Sequence, residues 1–304
     1  MSTAFSRGRE AGDDGRFKRQ DSRFRDTVTA AESGRYHLYA APACPWSQRT
    51  LIVHTLLGLG DAIPVHLLDP YRDERGWAFT GGEFADPLHG WSFLAEAYTA
   101  TDAGFDGRIS VPVLWDEQEQ RIVNNESADI VRILDGVWGD GGLRPAELAE
   151  EIDRVNARTY ADLQNAVYEA GFARSQAAYE DAAQRVFATL AWLEELLGER
   201  RYLAGERITE ADWRLFPTLA RFDPVYVDHF RCNLRRLVDH PNLWAYTREL
   251  YQHPGIAATT DVEQIKRHYY TTHDMLEPSR IIPIGPALDF SAPHGRGAAP
   301  APAG

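Results

Sequence analysis

The 304-residue chain is poor in the residues that staple small or metal-built proteins, with two cysteines, two methionines and, among 32 basic residues, only the lysines Lys18 and Lys266. Two cysteines supply neither a disulfide framework nor a zinc site, so no metal is expected. No apolar run approaches the ~20 residues of a membrane span, which excludes a membrane partner. A net charge of −13 and a pI near 5.2 exclude a nucleic-acid backbone as partner. Residues 1–35 are polar and arginine-rich and lack the apolar stretch of a secretory signal. Unpaired cysteines without such a signal lead to the expectation of a reducing cytoplasm. What is present is ordinary for a soluble globular protein, 44% hydrophobic and 25% charged. The length is enough for two domains with a sizeable core.

Cys44 is the first residue that points to chemistry. It follows the apolar run Tyr36-His37-Leu38-Tyr39-Ala40-Ala41 and precedes Pro45-Trp46-Ser47-Gln48-Arg49. Leu51, Ile52, Leu56 and Leu57 then recur at helical spacing. The segment reads as strand, tight turn, Cys-Pro, helix, with Pro45 suited to the first helical position because its missing N–H is not needed there. A cysteine at a helix N-terminus meets free N–H groups and the positive end of the dipole, which favour the nucleophilic thiolate. The same pattern also accommodates a buried, inert cysteine. Ser47 stands where a Cys-x-x-Cys partner would be, so a mixed disulfide at Cys44 needs an outside thiol to resolve it. Cys232, in His229-Phe230-Arg231-Cys232-Asn233, reads as structural.

The organisation that follows is a mixed α/β region and an all-helical one. Residues 1–35 form an N-terminal arm, partly disordered, whose Phe17 and Phe24 could pack as an extended strap. Residues 36–137 carry strand His37–Tyr39, helix 47–59, strand Pro64–Leu68, a hairpin of Val111–Trp115 with Arg121–Asn124, and helix Glu126–Asp135. That order is the one of a thioredoxin-like domain. A long insertion, 69–108, holds Trp77, Phe79, Phe84, Trp91, Phe93 and Phe105, and reads as a packed flap over a site. Helices are predicted at 147–172, 177–198, 209–221, 241–252 and 260–270, within an all-helical domain spanning 146–290. Thr209 and Asp212 have the spacing of a capping box, with Ile208 and Trp213 as its staple. The Ala-Pro tail, 295–304, is predicted to be disordered.

A thioredoxin-like domain followed by a helical domain resembles the glutathione transferases. The likeness narrows at Cys44-Pro45-Trp46-x-x-Arg49, Val111-Pro112-Val113-Leu114-Trp115-Asp116 and Asn125-Glu126-Ser127-Ala128. In the helical half it continues through Val167–Ala173, Arg221–Val227, Ile265–Tyr270 and Ile281–Pro286. Together these are similar to the glutathionyl-hydroquinone reductases, the Xi class of that superfamily. Ser47 departs from the family's alanine and would add a hydrogen bond near the sulfur. Glu277-Pro278-Ser279 departs from its Asn-Pro-Thr.

The resemblance implies a set of roles. Val111, before Pro112 in a cis peptide, would pair with the cysteinyl part of glutathione. Glu126 would take the γ-glutamyl ammonium, and Ser127 with the helix N-terminus its carboxylate. Trp77 would cover glutathione, and Arg108 is a further candidate for a carboxylate contact. Read without the family, Glu126 and Ser127 are an ordinary helix cap and Trp77 a packing residue. Tyr168, Tyr226 and Tyr269 would donate hydrogen bonds to the ring oxygens of a hydroquinone. Glutathione is then a co-substrate, a glutathionylated hydroquinone the substrate, and a homodimer the expected assembly. The alternatives are an omega-like thioltransferase or dehydroascorbate reductase, and a non-catalytic thiol-binding protein.

Overall fold

The computed structural model describes residues 14–297. They fall into two compact units. The first takes in Arg19–Gly141 and Asp261–Ile282. The second takes in Gly142–Thr260, with the described parts of an N-terminal segment ending at Lys18 and a C-terminal segment beginning at Pro283.

The first unit opens with β1 (Tyr36–Ala40), α1 (Pro45–Leu56) and β2 (Val65–Leu67). Two short strands, β3 (Arg72–Asp73) and β4 (Gly76–Trp77), and helix α2 (Ala95–Thr101) precede the hairpin β5 (Val113–Asp116) and β6 (Arg121–Asn124). Helix α3 (Ser127–Val137) follows. The main sheet runs β2-β1-β5-β6. β1 pairs parallel with β2, Leu38 opposite Val65, and antiparallel with β5, Leu38 opposite Leu114. All five residues of β1 are buried, as in a central strand covered on both faces. α1 ends where Gly58 takes a left-handed conformation at φ 63°, a turn that most other residues would resist. α3 turns Ile130, Val131, Ile133 and Leu134 inward, the spacing of a one-sided apolar face.

Residues 69–108 are more than a flap. They contain the β3–β4 pair, an antiparallel bridge from Ala78 to Phe93, and helix α2. Trp77, Phe79, Leu94 and Tyr98 lie in one buried cluster with Tyr39, Cys44, Val111 and Trp115. The insertion therefore completes the core of the domain. Its aromatic residues give no period, which is why the spacing alone reads as a loop.

The second unit contains α4 (Ala149–Thr159), α5 (Ala166–Gly171), α6 (Gln176–Glu199), α7 (Glu210–Arg221) and α8 (Pro241–Gln252). The single helix expected over 147–172 is divided by a wider π-helical turn at Tyr160–Gln164. A second such turn, Phe222–Tyr226, follows α7 and contains Pro224, whose missing N–H disrupts the regular ladder. The capping box is formed: Asp212 accepts from the Thr209 N–H at 2.8 Å and its hydroxyl at 3.0 Å. Helix α9 (Val262–Thr272) clusters with the first unit, although the sequence reading ran the helical region on to 290. Residues 1–13 of the arm and 298–304 of the tail lie outside the described residues. Residues 24–26 of the arm pair along the end of β6, Arg25 opposite Asn124, as a strap. Arg296 reaches Glu249 at 2.6 Å, which ties the start of the tail to α8. Among the described residues no helix is long and apolar enough to cross a membrane.

Candidate active site

Cys44 is the N-cap residue of α1, with extended backbone angles and Pro45 in the first turn. Its N–H donates to Ala41 O at 2.9 Å, and its carbonyl accepts the first helical bond from Gln48. The turn is held from inside by Ser47, whose buried hydroxyl oxygen accepts the Ala41 N–H at 3.2 Å. Ser47 thus places its hydrogen bond in the strand-to-helix turn that carries Cys44, with the Ala41 N–H as its partner. The Cys44 Sγ lies 3.9 Å from the Val111 carbonyl oxygen, and the residue is only 7% exposed. Cys232 is fully buried, and burial pushes its thiol pKa up to about 12. Of the two cysteines, only Cys44 combines a helix start with partial access.

The Val111-Pro112 peptide is cis and immediately precedes β5. Pro112 therefore leads into the strand, which starts at Val113, two residues later than expected. Ser110 is held by Tyr98 of α2, whose hydroxyl reaches the Ser110 carbonyl at 2.8 Å. The same hydroxyl accepts from Asn125 Nδ2 at 3.1 Å. One phenol therefore joins the segment before Val111 to the segment before Glu126. No local sequence signal marks Tyr98 for this, since its partners are 12 and 27 residues away.

Glu126 is the N-cap of α3, and its Oε1 accepts from the Ala128 N–H at 3.2 Å. Ser127 is buried in the first turn, and Arg49 Nη1 lies 3.5 Å from its hydroxyl. The Arg49 guanidinium also stacks on Trp46 at 4.6 Å from the ring centre. Positive charge and the N-terminus of α3 thus meet at Ser127, an arrangement suited to a carboxylate. The Arg108 N–H donates to Gln20 Oε1 at 2.9 Å. Trp77 lies almost wholly buried on β4, stacked on His268 with ring centres 4.9 Å apart. His268 bonds the Pro70 carbonyl through Nδ1 at 2.7 Å, and its ring meets Tyr269 edge-on at 5.2 Å. Cys44, Trp77, Val111, Glu126, Ser127 and Tyr269 accordingly all belong to the first unit.

Tyr168 and Tyr226 belong to the second unit, in α5 and at the end of the second π-helical turn. They stand side by side, ring centres 6.1 Å apart. Phe230 stacks flat on Tyr226 at 5.4 Å and meets Tyr168 edge-on at 5.2 Å. Phe17 stacks on Phe172 at 5.6 Å and lies 6.3 Å from Tyr168. Phe17, Phe172 and Phe230 were not among the candidate residues. Phe172 lies inside the matched stretch Val167–Ala173, Phe230 lies three residues beyond Arg221–Val227, and Phe17 lies in the arm, away from every matched motif.

Fold and site define a thioredoxin-like protein in which one cysteine heads the first helix and an all-helical region follows. The chain belongs to the glutathione S-transferase family: the N-terminal domain model matches residues 43–137 and the C-terminal domain model residues 176–249. It is similar to the glutathionyl-hydroquinone reductase PcpF of Sphingobium chlorophenolicum, 47% identical with 90% of each chain covered. It is 44% identical to the glutathionyl-hydroquinone reductase YqjG of Escherichia coli, over 93% of this chain and 92% of that protein. The glutathione-bound structure of YqjG matches with a TM-score of 0.85 at 45% identity, covering 88% of this chain and 89% of that one. The glutathione-S-transferase Xi of Phanerochaete chrysosporium matches with a TM-score of 0.87 at 42% identity, covering 91% and 94%.

Proposed function

We propose that this protein is a glutathionyl-hydroquinone reductase, an enzyme that uses glutathione to release a hydroquinone from its glutathionyl conjugate. The observation that carries the reading is the setting of Cys44: N-cap of α1, in one buried cluster with Trp77 and Val111. The likeness to PcpF and YqjG over nine-tenths of the chain supports the substrate class.

In the first step the Cys44 thiolate attacks the sulfur of the conjugate. A Cys44–glutathione disulfide forms, and the carbon–sulfur bond breaks. Its electron pair leaves with the ring, whose carbon takes a proton. A ring carbon is a much poorer leaving group than a thiolate, so this departure needs help. Tyr168, Tyr226 and Tyr269 are assigned to the ring oxygens, where a phenolic donor favours the keto tautomer and spreads the developing charge. In the second step a glutathione thiolate attacks the mixed disulfide, giving glutathione disulfide and restoring Cys44. The balance is one conjugate and one glutathione in, one hydroquinone and one glutathione disulfide out. No metal is required at any step.

Glutathione is assigned to the first unit. Val111 and Pro112 take its cysteinyl part, Glu126 its ammonium, Ser127 and the α3 N-terminus its γ-glutamyl carboxylate, and Trp77 covers it. Arg108 is the further carboxylate contact. Unpaired cysteines suit a reducing cytoplasm, and the role there is quinone detoxification by a homodimer.

The test uses glutathionyl-menadione and glutathione, with free menadiol as readout. Cys44→Ser should abolish release, and Cys232→Ser should keep most of it. Tyr168→Phe, Tyr226→Phe and Tyr269→Phe should slow menadiol release far more than reduction of a simple glutathione mixed disulfide. Near wild-type release by Cys44→Ser would overturn the mechanism. Equal losses on both substrates would remove the tyrosines from it.

A further inference from the structure

We propose that the strap before β1 is part of the glutathione site, with Ser22 as the positioning residue for the Glu126 carboxylate. The inference rests on the reading that Glu126 takes the γ-glutamyl ammonium. The strap is a built element. Its Phe24 exchanges both backbone groups with Asn125: the Phe24 N–H donates to Asn125 Oδ1 at 3.1 Å, and the Asn125 N–H to Phe24 O at 3.0 Å. The Asp26 N–H donates to Val123 O at 3.0 Å, and Arg25 grips both oxygens of Asp129 in α3 at 2.7 and 2.8 Å. Residues two apart on an extended chain share a face. Here Gln20 and Ser22 share the face that meets the site. Gln20 accepts the Arg108 N–H, and Ser22 meets Glu126 at Oε2, 3.0 Å away. Arg19 lies over Trp46, two residues from Cys44, at 4.7 Å from the ring centre.

The Ser22 hydroxyl has one proton and two acceptors in reach, the Asn125 carbonyl at 3.2 Å and Glu126 Oε2 at 3.0 Å. The charged oxygen is the stronger acceptor. Glu126 then has a donor on each oxygen, the Ala128 N–H on Oε1 and Ser22 on Oε2. Two donors from separate segments fix the plane of a carboxylate that would otherwise rotate. The Ser127 hydroxyl adds a longer contact to Oε1 at 3.5 Å, so Oε2 is the oxygen that keeps a lone pair for the ammonium. Nothing in the arm's composition announces this, since the partners are 104 residues apart.

The experiment is a double-mutant cycle read as KM and kcat for glutathione, with glutathionyl-menadione saturating. Ser22→Ala should raise KM about three- to tenfold, the range for the net worth of one ordinary hydrogen bond, because Ser22 acts on the ammonium only through Glu126. It should leave kcat nearly unchanged, and Ser22→Thr should restore KM. Glu126→Gln keeps a capping oxygen while removing the charge, and by itself should raise KM. In that background Ser22→Ala should add nothing. With cysteinylglycine as the thiol, which lacks the γ-glutamyl group, Ser22→Ala should also have no effect. An unchanged KM in Ser22→Ala, or an equal rise in the Glu126→Gln background, overturns the Ser22 proposal alone. A wild-type KM in Glu126→Gln sinks the Glu126 assignment and this proposal together.

Discussion

Gly171→Ala tests the pairing of Tyr168 and Tyr226 without touching either hydroxyl. Gly171 ends α5 and is not among the glycines with positive φ, so alanine suits its backbone. The space does not. A Cβ built there stands 2.8 Å from Phe230 Cε1 and closer still to Cγ and Cδ1, where ordinary contact begins at 3.4 Å. The ring must therefore yield by more than roughly half an ångström. It has little freedom to do so, because Arg231 Nη2 donates to the Gly171 and Ala170 carbonyls at 2.7 and 3.1 Å. The Cys232 N–H closes the same turn on Tyr226 O at 2.8 Å. Phe230 stacks on Tyr226 and against Tyr168, so its displacement is passed to both phenols. Overpacking of this kind costs about 1–3 kcal/mol. That outweighs the gain of up to about 1 kcal/mol that Gly→Ala brings in an open helix. The net loss is then up to about 2 kcal/mol, and the unfolding midpoint should fall by up to roughly 3 °C in calorimetry. Menadiol release should fall by about ten- to a hundredfold, as when reacting groups are misplaced by about an ångström. Reduction of a simple glutathione mixed disulfide should change little. A raised midpoint, or equal losses on the two substrates, would refute the chain of contacts from Gly171 to the phenols.

Asp212→Ala should be severely destabilising without bearing on the chemistry. The buried carboxylate accepts from the Leu203 N–H, the Thr209 N–H and hydroxyl, and the Tyr246 hydroxyl, all within 3.0 Å. Stranding those donors should cost about 3–5 kcal/mol, read as a lower calorimetric midpoint; a loss under about 1 kcal/mol would contradict the account. On the acid side, His66 is the group to follow. It is bonded to His37 at 2.9 Å and faced by Asp86, Glu117 and His89. Burial first, then His37, pushes it down to about 4. A histidine whose folded value is depressed resists protonation that the unfolded chain accepts. Its contribution is complete above about 6.5 and is lost as pH falls towards about 4, up to about 3 kcal/mol. Midpoints from pH 7 to 4.5 should fall more steeply for the wild type than for His66→Gln, and parallel curves would discard the idea.

Much of this was legible where a local pattern carries its own physics. The strand, turn and Cys-Pro helix start around Cys44 were readable because Pro45 and the spacing of Leu51, Ile52 and Leu56 act within one element. The Thr209–Asp212 box was readable for the same reason. The packing of the insertion 69–108 was readable from its aromatic content, but its strand pair and helix α2 were not, because their order comes from rings meeting partners elsewhere in the first unit. The π-helical turns were missed too, since each is a single turn and the spacing of three and four holds in the helices beside it. Adjacency in sequence puts a Ser47 hydrogen bond near the sulfur, and only the fold shows that its partner is the Ala41 N–H.

Ser22 is the sharpest case of what sequence cannot announce. A serine in a polar, arginine-rich arm has the composition of a disordered segment. Its order is conferred by the edge of β6, which offers backbone groups to any extended chain that reaches it. The strap that caps this edge also delivers a hydroxyl to the first turn of α3. Closing the sheet edge and setting the Glu126 carboxylate are therefore one structural event. A variant that loosens the strap should lose glutathione affinity before it loses the fold, because the strap gives the carboxylate a single hydroxyl while several bonds hold the strap itself.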